Sequence, residues 1–165
     1  MSVAKDVWDL ETLNAVRGLR MEVAVEAFDS PGSWQDHLFK SGERMLRSRM
    51  VDGAAWLGAE VFPHDVMVTR YEDPEFPGMS KLTARWAPDV NEVELVGGAL
   101  DGQTRGVLNI GEPLRATEDL PMFSTKFNLE EVFGYRIAVY TLAGWHEVRR
   151  RWVYALNYYE GREGA

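Results

Sequence analysis

Hydrophobic and polar residues alternate over residues 21–27, where Val23 and Val25 lie on one face and acidic residues on the other. A period of two is typical of a strand with one buried face. Upstream, the segment 6–19 begins with acidic residues and has a glycine, Gly18, near its end, which is the pattern of a short helix. The pattern therefore predicts a short helix followed by a strand.

The next segment, 31–60, has helical periodicity, and Ser30 with Pro31 supplies an N-cap and a first-turn proline. On a helical wheel its large apolar side chains fall within roughly 160° of arc. They are Trp34, Leu38, Phe39, Met45, Leu46, Met50, Trp56 and Leu57. From this arc we expect Trp34, Leu38, Met45 and Trp56 to pack on the face of a sheet. The basic residues Lys40, Arg44 and Arg47 lie opposite and are expected to form a solvated face, although they are also a second candidate basic patch.

Two glycines, Gly42 and Gly53, fall inside the apolar arc of this helix. The missing side chain at such a position lets another backbone approach closely. The pair Asp52 and Gly53 also favours a break, so the pattern leaves open whether the segment is one helix or two.

Two further alternating runs, 66–71 and 80–86, are joined by the loop 72–78. The loop contains two prolines and a glycine, which is the turn chemistry of a hairpin. Residues 1–88 are therefore predicted to form a β-α-β-β module in which one long amphipathic helix covers a three-stranded sheet.

Helical periodicity disappears after the linker 87–89, and strands punctuated by glycine replace it. The strands are expected at 93–96, 104–108, 134–142 and 151–159, with a connecting loop that begins at 143–146. Residues 90–165 are thus predicted to be a small, mostly antiparallel β module, either an open sheet or a barrel. The fold class is α+β, with domains 1–88 and 90–165.

Composition narrows the function without naming it. The 165 residues carry a net charge of −8, and neither half has a basic excess, so we do not expect a nucleic-acid binder. Zero cysteines exclude disulfides, thiol nucleophiles and cysteine-ligated metals. Apolar stretches are too short for a signal peptide or a membrane span. We expect a cytoplasmic protein without membrane contact.

The turn 96–102 (VGGALDG) invites comparison with a phosphate-binding loop. It lacks the lysine and the hydroxyl residue of a P-loop and precedes a strand pattern instead of a helix. The favoured interpretation is a structural turn that needs positive φ at glycine and a side-chain cap from Asp101.

The stretch 95–103 (LVGGALDGQ) and the later run 150–154 (RRWVY) resemble motifs of small, uncharacterised proteins from actinobacteria and their phages. Those proteins share a V-G-G-P-x-D-G turn and a late R-W-V-Y strand, and this chain has Ala99 where proline is common. The resemblance covers residues 92–156. It implies a bacterial or phage source and carries no activity.

The sequence indicates no catalytic, cofactor or metal site. The three histidines, His37, His64 and His146, have no metal-ligand spacing, and no serine lies in a nucleophile elbow. The carboxylates of 72–75 lie in a rigid turn that fits no calcium-loop pattern. We therefore expect a protein that is not an enzyme and needs no cofactor.

Two places have the composition of an interaction surface. Phe76, in the hairpin loop, either folds back on the core or presents an anchor to a partner. Arg149, Arg150 and Arg151 with Trp145 nearby combine arginine and aromatic side chains, as nucleic-acid and protein interfaces do. These five residues are the candidate interaction surface, although loop charges of this kind are commonly just solvated.

These observations lead to the hypothesis of a non-catalytic protein that binds other proteins. Six tryptophans, six tyrosines and the resemblance favour a phage-encoded accessory protein that acts on a host factor or within an assembly, in the host cytoplasm. One alternative is a virion component that decorates the capsid or joins the tail, and homo-oligomers suit such a role. Another is a nucleic-acid-binding regulator.

Overall fold

The computed structural model describes residues 6–26, 32–76, 78–123 and 131–160. Within these ranges the chain forms two helices, nine strands and a 3-10 turn, Pro63–Asp65. The helices are α1 (Leu10–Gly18) and α2 (Gly32–Trp56). The strands are β1 (Val7–Trp8), β2 (Met21–Glu26), β3 (Val66–Glu72), β4 (Met79–Trp86), β5 (Glu92–Val96), β6 (Thr104–Gly106), β7 (Leu114–Phe123), β8 (Glu131–His146) and β9 (Arg151–Glu160). This is the predicted α+β fold.

The chain divides into two compact units. The first unit, Glu11–Asp89, contains a three-stranded antiparallel sheet in the order β2-β4-β3. Helix α2 lies on one face of that sheet, where Leu82 and Ala84 of β4 are fully buried. The alternation read from β2, β3 and β4 thus gives the predicted β-α-β-β arrangement.

Helix α2 is one uninterrupted helix, so Asp52 and Gly53 do not break it. Gly58, with φ of +83°, ends it. The Gly58 N–H donates to Ala55 O and the Ala59 N–H donates to Ala54 O, which is the Schellman pattern. The proposed N-cap at Ser30 and Pro31 lies outside the described residues.

The buried face of α2 is narrower than the apolar arc on the wheel. Phe39, Leu46, Met50 and Ala54 are buried, whereas Leu38 and Met45 are half-buried. Trp56 is 90% exposed, so its predicted packing on the sheet is wrong. It lies at the flank of the arc, about 100° from the direction of Phe39, Leu46 and Met50. The side chain of Trp34 lies outside the described part.

Gly42 marks the closest approach of α2 to the sheet. A Cβ atom at this position would lie 2.7 Å from Cδ1 of Leu82, and at Gly53 it would lie 2.9 Å from Cε of Met21. The close approach predicted at both glycines is present, but side chains make it, not another backbone.

The second unit comprises Val90–Ala165 and the segment that ends at Leu10. Its strands follow the order β1-β8-β9-β5-β6, with β7 also paired to β8. Every pair is antiparallel except β5 with β9, so the sheet is mostly antiparallel as predicted. Across the described residues β6 forms one edge, and β7 and β1 follow one another along the opposite edge of β8.

Two features of this sheet differ from the sequence prediction. The strand β7 was not predicted, because its polar residues and Pro121 obscure the alternation. Residues 143–146, expected to begin a loop, belong to β8, which extends from Glu131 to His146. Gly144 lies at a register shift between β8 and β9, and such a bulge hides the strand pattern locally.

The strand β1 pairs with β8, Val7 opposite His146 and Trp8 opposite Trp145. The sequence interpretation counted these residues in the module 1–88, because a two-residue strand has no periodicity to detect. That the modules 1–88 and 90–165 fold independently stays a prediction.

Candidate functional site

Phe76 lies at the tip of the hairpin that joins β3 and β4. The Met79 N–H donates to Phe76 O, at 3.0 Å, and the Glu75 N–H donates to Oδ1 of Asp73, at 2.9 Å. The Phe76 side chain is 60% exposed, so it is presented to solvent and does not fold back on the core. Of the two alternatives left open by the sequence, the structure shows the exposed one.

Trp145, in contrast to Phe76, is a buried side chain. It is 3% exposed and lies between Trp8 and Trp152, with ring centroids 6.3 Å and 4.8 Å away. All three indoles are buried, and the Trp152 ring meets Trp145 edge-on. Trp145 is therefore a core residue, and its assignment to the interaction surface is wrong. The misplaced loop at 143–146 caused that error.

Gly144 lets this indole cluster form. A Cβ atom at this position would overlap the carbonyl oxygen of Trp8, which comes directly against the β8 backbone. Only glycine leaves the space that β1 needs to bring Trp8 beside Trp145.

The arginine triplet lies where β8 turns into β9. Nη1 of Arg149 donates to both carboxylate oxygens of Glu94, at 2.7 and 2.8 Å, and Nη1 of Arg151 lies 3.7 Å from the same carboxylate. Glu94 is in β5 and its side chain is 13% exposed. Two of the three positive charges are thus directed at an acid of the same unit.

Hydrogen bonds to His146 hold the backbone of this turn. The Arg149 N–H donates to Nδ1 of His146, at 3.0 Å, and the Arg150 N–H donates to His146 O, at 2.8 Å. Arg150 has φ of +53°, the left-handed conformation that closes the turn. His146 is buried, and its Nδ1 and carbonyl oxygen accept the two hydrogen bonds that hold the turn. These contacts indicate a structural role for the triplet.

The five residues of the candidate surface are divided between the two units. Phe76 belongs to the unit Glu11–Asp89, and Trp145 with the three arginines belongs to the other. Phe76 alone combines an apolar side chain with high exposure.

The glycine turn after β5 is the structural turn that the sequence favoured. Gly97 and Gly98 have φ of +95° and +72°, and the Gly97 N–H donates to Oδ1 of Asp101, at 2.7 Å. Because the Gly97 N–H already donates to the Asp101 carboxylate, it is not available to bind an anion.

A part-buried polar cluster next to this turn was not found by sequence reasoning. Oε1 of Glu118 accepts from Nε of Arg136, at 3.0 Å, and Nη2 of Arg136 donates to the Tyr159 hydroxyl, at 3.0 Å. The guanidinium carbon also lies 3.7 Å from the Tyr159 ring centroid. Strand pairing places Glu118 opposite Arg136, and the long separation of the two in sequence leaves no local signal.

Tyr140 links that cluster to the turn. Its hydroxyl donates to Gly97 O, at 2.8 Å. Burial raises the pKa of Tyr140, and the negative charge of Glu118 raises it further. A Cβ at Gly98 would lie 3.1 Å from both the Tyr140 hydroxyl and Oε2 of Glu118, so the glycine lets the turn sit directly on these groups. The cluster fixes the turn on the sheet.

The most exposed aromatic side chain of the described residues is Trp56. It lies on the last turn of α2 beside Leu57, which is 40% exposed. Asp52, Ala55 and Trp56 line an open depression of about 440 Å³. The helical wheel did not predict this exposed surface, because it places Trp56 in the same apolar arc as the buried residues.

Within the described ranges, no three histidine or acidic side chains are gathered as a metal site. No helix of those ranges is long and apolar enough to cross a membrane. Comparisons of the chain with protein-family models, with curated proteins and with solved structures found no match.

Proposed function

We propose that this protein acts by binding another protein and that Trp56 anchors the contact. The observation that carries the proposal is the 90% exposure of Trp56 on an ordered helix. Tryptophan is among the residues most enriched in the energetically dominant centres of protein interfaces. Burying an indole against a partner removes a large apolar surface from water.

The position of Trp56 favours binding because its backbone is already fixed. The two Schellman hydrogen bonds at Gly58 and Ala59 hold the last turn of α2. A side chain on a fixed backbone loses little conformational entropy when a partner covers it. Leu57 adds apolar surface beside the indole, and the open depression lined by Asp52 and Ala55 leaves room for a partner side chain.

Phe76 supports the same function through a second contact. It belongs to the same unit, at the hairpin tip between β3 and β4, whereas α2 ends near Met21, at the other end of the sheet. The two aromatics therefore lie toward opposite ends of this sheet. We assign the primary contact to Trp56 because it is the more exposed residue and lies beside an open depression.

The setting of the interaction is proposed from the resemblance of residues 92–156 alone. It supports, as part of the proposal, a phage-encoded accessory protein that acts on a host factor or within an assembly. The neutralising contacts of Arg149 and Arg151 with Glu94 support a protein partner over nucleic acid.

The test is quantitative capture of partners from an actinobacterial lysate on immobilised protein. We expect at least one protein to be retained by the wild type and lost with Trp56→Ala. Leu108→Ala is the matched control, because Leu108 is 96% exposed but lies in the other unit. A set of captured proteins that is identical for the wild type and Trp56→Ala would contradict the proposal.

A further inference from the structure

Asp52 and Trp56 lie four residues apart on α2, so their side chains are neighbours on one face of the helix. Together with Ala55 they line the open depression of about 440 Å³. Asp52 is exposed, and within the described residues its carboxylate makes no ion pair or hydrogen bond. The depression thus combines one acid, one methyl group and one large aromatic ring.

The end of the helix adds negative charge at the same place. The backbone carbonyl groups give the C-terminal end of a helix a partial negative charge, which a basic residue in the last turn commonly offsets. Trp56 lies in the last turn of α2, and that turn contains no basic residue. A positive charge beside Trp56 is therefore stabilised by the helix end as well as by Asp52.

The face of the Trp56 indole is the third group that attracts a cation. The electron density above an aromatic ring attracts positive charge within about 6 Å of the ring centre, and tryptophan attracts it most strongly. This indole is 90% exposed, and no arginine or lysine of the described residues lies over it. Its ring face is therefore open to a partner.

Arg49 is the nearest basic residue along α2, three residues before Asp52. It is exposed, it makes no ion pair with Asp52, and it does not line the depression. Seven residues separate it from Trp56, which is about 10 Å along the helix axis. Arg49 can compete weakly for the Asp52 carboxylate, but it leaves the depression open.

The second unit contains a carboxylate and an aromatic ring that share one arginine. Nε of Arg136 donates to Oε1 of Glu118, at 3.0 Å, while the guanidinium carbon lies 3.7 Å from the Tyr159 ring centroid. A guanidinium is planar, so its N–H groups point to the side while its face covers the ring. One arginine can therefore pair with an acid and stack on an aromatic ring at the same time.

We propose that the depression binds an arginine side chain of the partner protein, whose guanidinium stacks on Trp56 and pairs with Asp52. This inference rests on the proposed function, in which Trp56 anchors the contact. The aliphatic part of the arginine lies against Ala55 and Leu57. The unit Glu11–Asp89 has 13 acidic and 9 basic residues, a net charge of −4, which attracts a basic partner surface.

Other occupants match the depression less well. An apolar side chain on Trp56 removes water from Asp52 without replacing its hydrogen bonds, which is unfavourable. A phosphate or carboxylate is repelled by Asp52 and by the negative end of the helix. A lysine ammonium pairs with Asp52 but lacks the flat face that covers an indole. Arginine is the side chain that matches the acid, the helix end and the ring together.

The test is an NMR titration of the isotope-labelled full chain with N-acetylarginine amide, observed at the indole N–H of Trp56. That signal is assigned by its loss in Trp56→Phe. We expect a saturable shift with a Kd of about 10–100 mM, the affinity that one cation–π contact and one exposed ion pair provide. The citrulline analogue has nearly the same shape without the charge and should bind about fivefold more weakly or worse.

Substitutions separate the carboxylate from the general charge of the protein. Asp52→Asn should weaken binding of the arginine amide by about two- to fivefold, because it removes the charge and keeps the shape. Glu75→Gln is the matched control, since it removes an exposed acid of the same unit at the hairpin tip, and it should leave the Kd unchanged. Arg49→Gln should strengthen binding by up to about twofold, because it removes the competing cation.

Three results of the titration would each overturn the proposal. They are a Trp56 signal that does not shift, equal affinities for arginine and citrulline, and an effect of Asp52→Asn no larger than that of Glu75→Gln. The lysate experiment separates this inference from the proposed function. Partner capture that is lost with Trp56→Ala but kept with Asp52→Asn would retain Trp56 as the anchor and overturn the arginine. Capture that is unchanged in Trp56→Ala contradicts the proposed function itself.

Discussion

A single nitrogen of Arg149, Nη1, lies 2.7 Å from Oε1 and 2.8 Å from Oε2 of Glu94. This contact joins the turn between β8 and β9 to β5, the strand parallel to β9. Glu94 also has Arg151 at 3.7 Å. One carboxylate therefore pairs with two of the three arginines of this turn.

From this contact we expect no measurable binding to duplex or single-stranded DNA at physiological salt. Binding through phosphates requires unneutralised cations, and its affinity falls steeply with salt. Fluorescence anisotropy with labelled oligonucleotides measures it. The triple variant Arg149→Glu, Arg150→Glu, Arg151→Glu is the control. Micromolar, salt-sensitive binding by the wild type that this variant abolishes would refute the prediction.

The face of α2 can be mapped with two substitutions on one helix. Leu46 is fully buried, so Leu46→Ala should lower the free energy of unfolding by about 2–5 kcal/mol through lost transfer and a cavity. Trp56→Ala should change it by no more than about 0.5 kcal/mol, because the indole is in water. Urea denaturation measures both. A loss at Trp56 as large as the loss at Leu46 would show that the indole is buried.

Gly144 should tolerate no side chain. Gly144→Ala pushes a methyl group into the Trp8 carbonyl, and we expect a loss of about 1–3 kcal/mol through displaced backbone. Gly106→Ala is the matched control, since a Cβ there meets nothing within 4 Å. That control should be neutral or stabilise by up to about 1 kcal/mol. Equal effects of the two substitutions in chemical denaturation would exclude the close approach of β1 to β8.

The buried phenol of Tyr140 should make the protein sensitive to alkali. Its pKa is raised in the folded state, first by burial and then by the charge of Glu118. The unfolded chain ionises near pH 10 while the folded state keeps the proton, so stability is present below about pH 10 and falls as pH rises through the raised pKa.

The free energy of unfolding measured against pH should therefore fall less steeply above about pH 10 for Tyr140→Phe than for the wild type. At neutral pH the substitution should cost about 1 kcal/mol, because Gly97 O loses its donor. Identical alkaline slopes for the two proteins would contradict a raised pKa of Tyr140.

Strands with regular alternation were predictable from the sequence. In β4, Ser80, Leu82, Ala84 and Trp86 alternate with half-buried or exposed residues, and all four are buried. β7 could not be found this way, because Glu118 is buried through its partner Arg136 and so breaks the pattern. Burial of a charge depends on a residue that is distant in sequence.

The surroundings of a candidate residue were predictable only where its neighbours in sequence determine them. Phe76 was identified correctly because the prolines and the glycine that predict its hairpin loop lie next to it in sequence. The ion pairing of Arg149 depends on Glu94, and the packing of Trp145 depends on Trp8. Both partners lie on other strands, far away in sequence. The prediction that Trp56 packs on the sheet failed for a different reason. A helical wheel gives the direction of a side chain but not the width of the surface that covers the helix.

The pairing of β1 with β8 also sets an order of assembly during synthesis. The sheet β2-β4-β3 has all its strands once Trp86 has been made, whereas Trp8 cannot meet its partner until Trp145 follows. Closing so long a loop is entropically costly, and contacts between distant residues slow folding. Strand β1 is therefore synthesised before its partner strand β8 and is one of the last strands to pair, and until then the Trp8 indole lacks the Trp145 ring against which it packs.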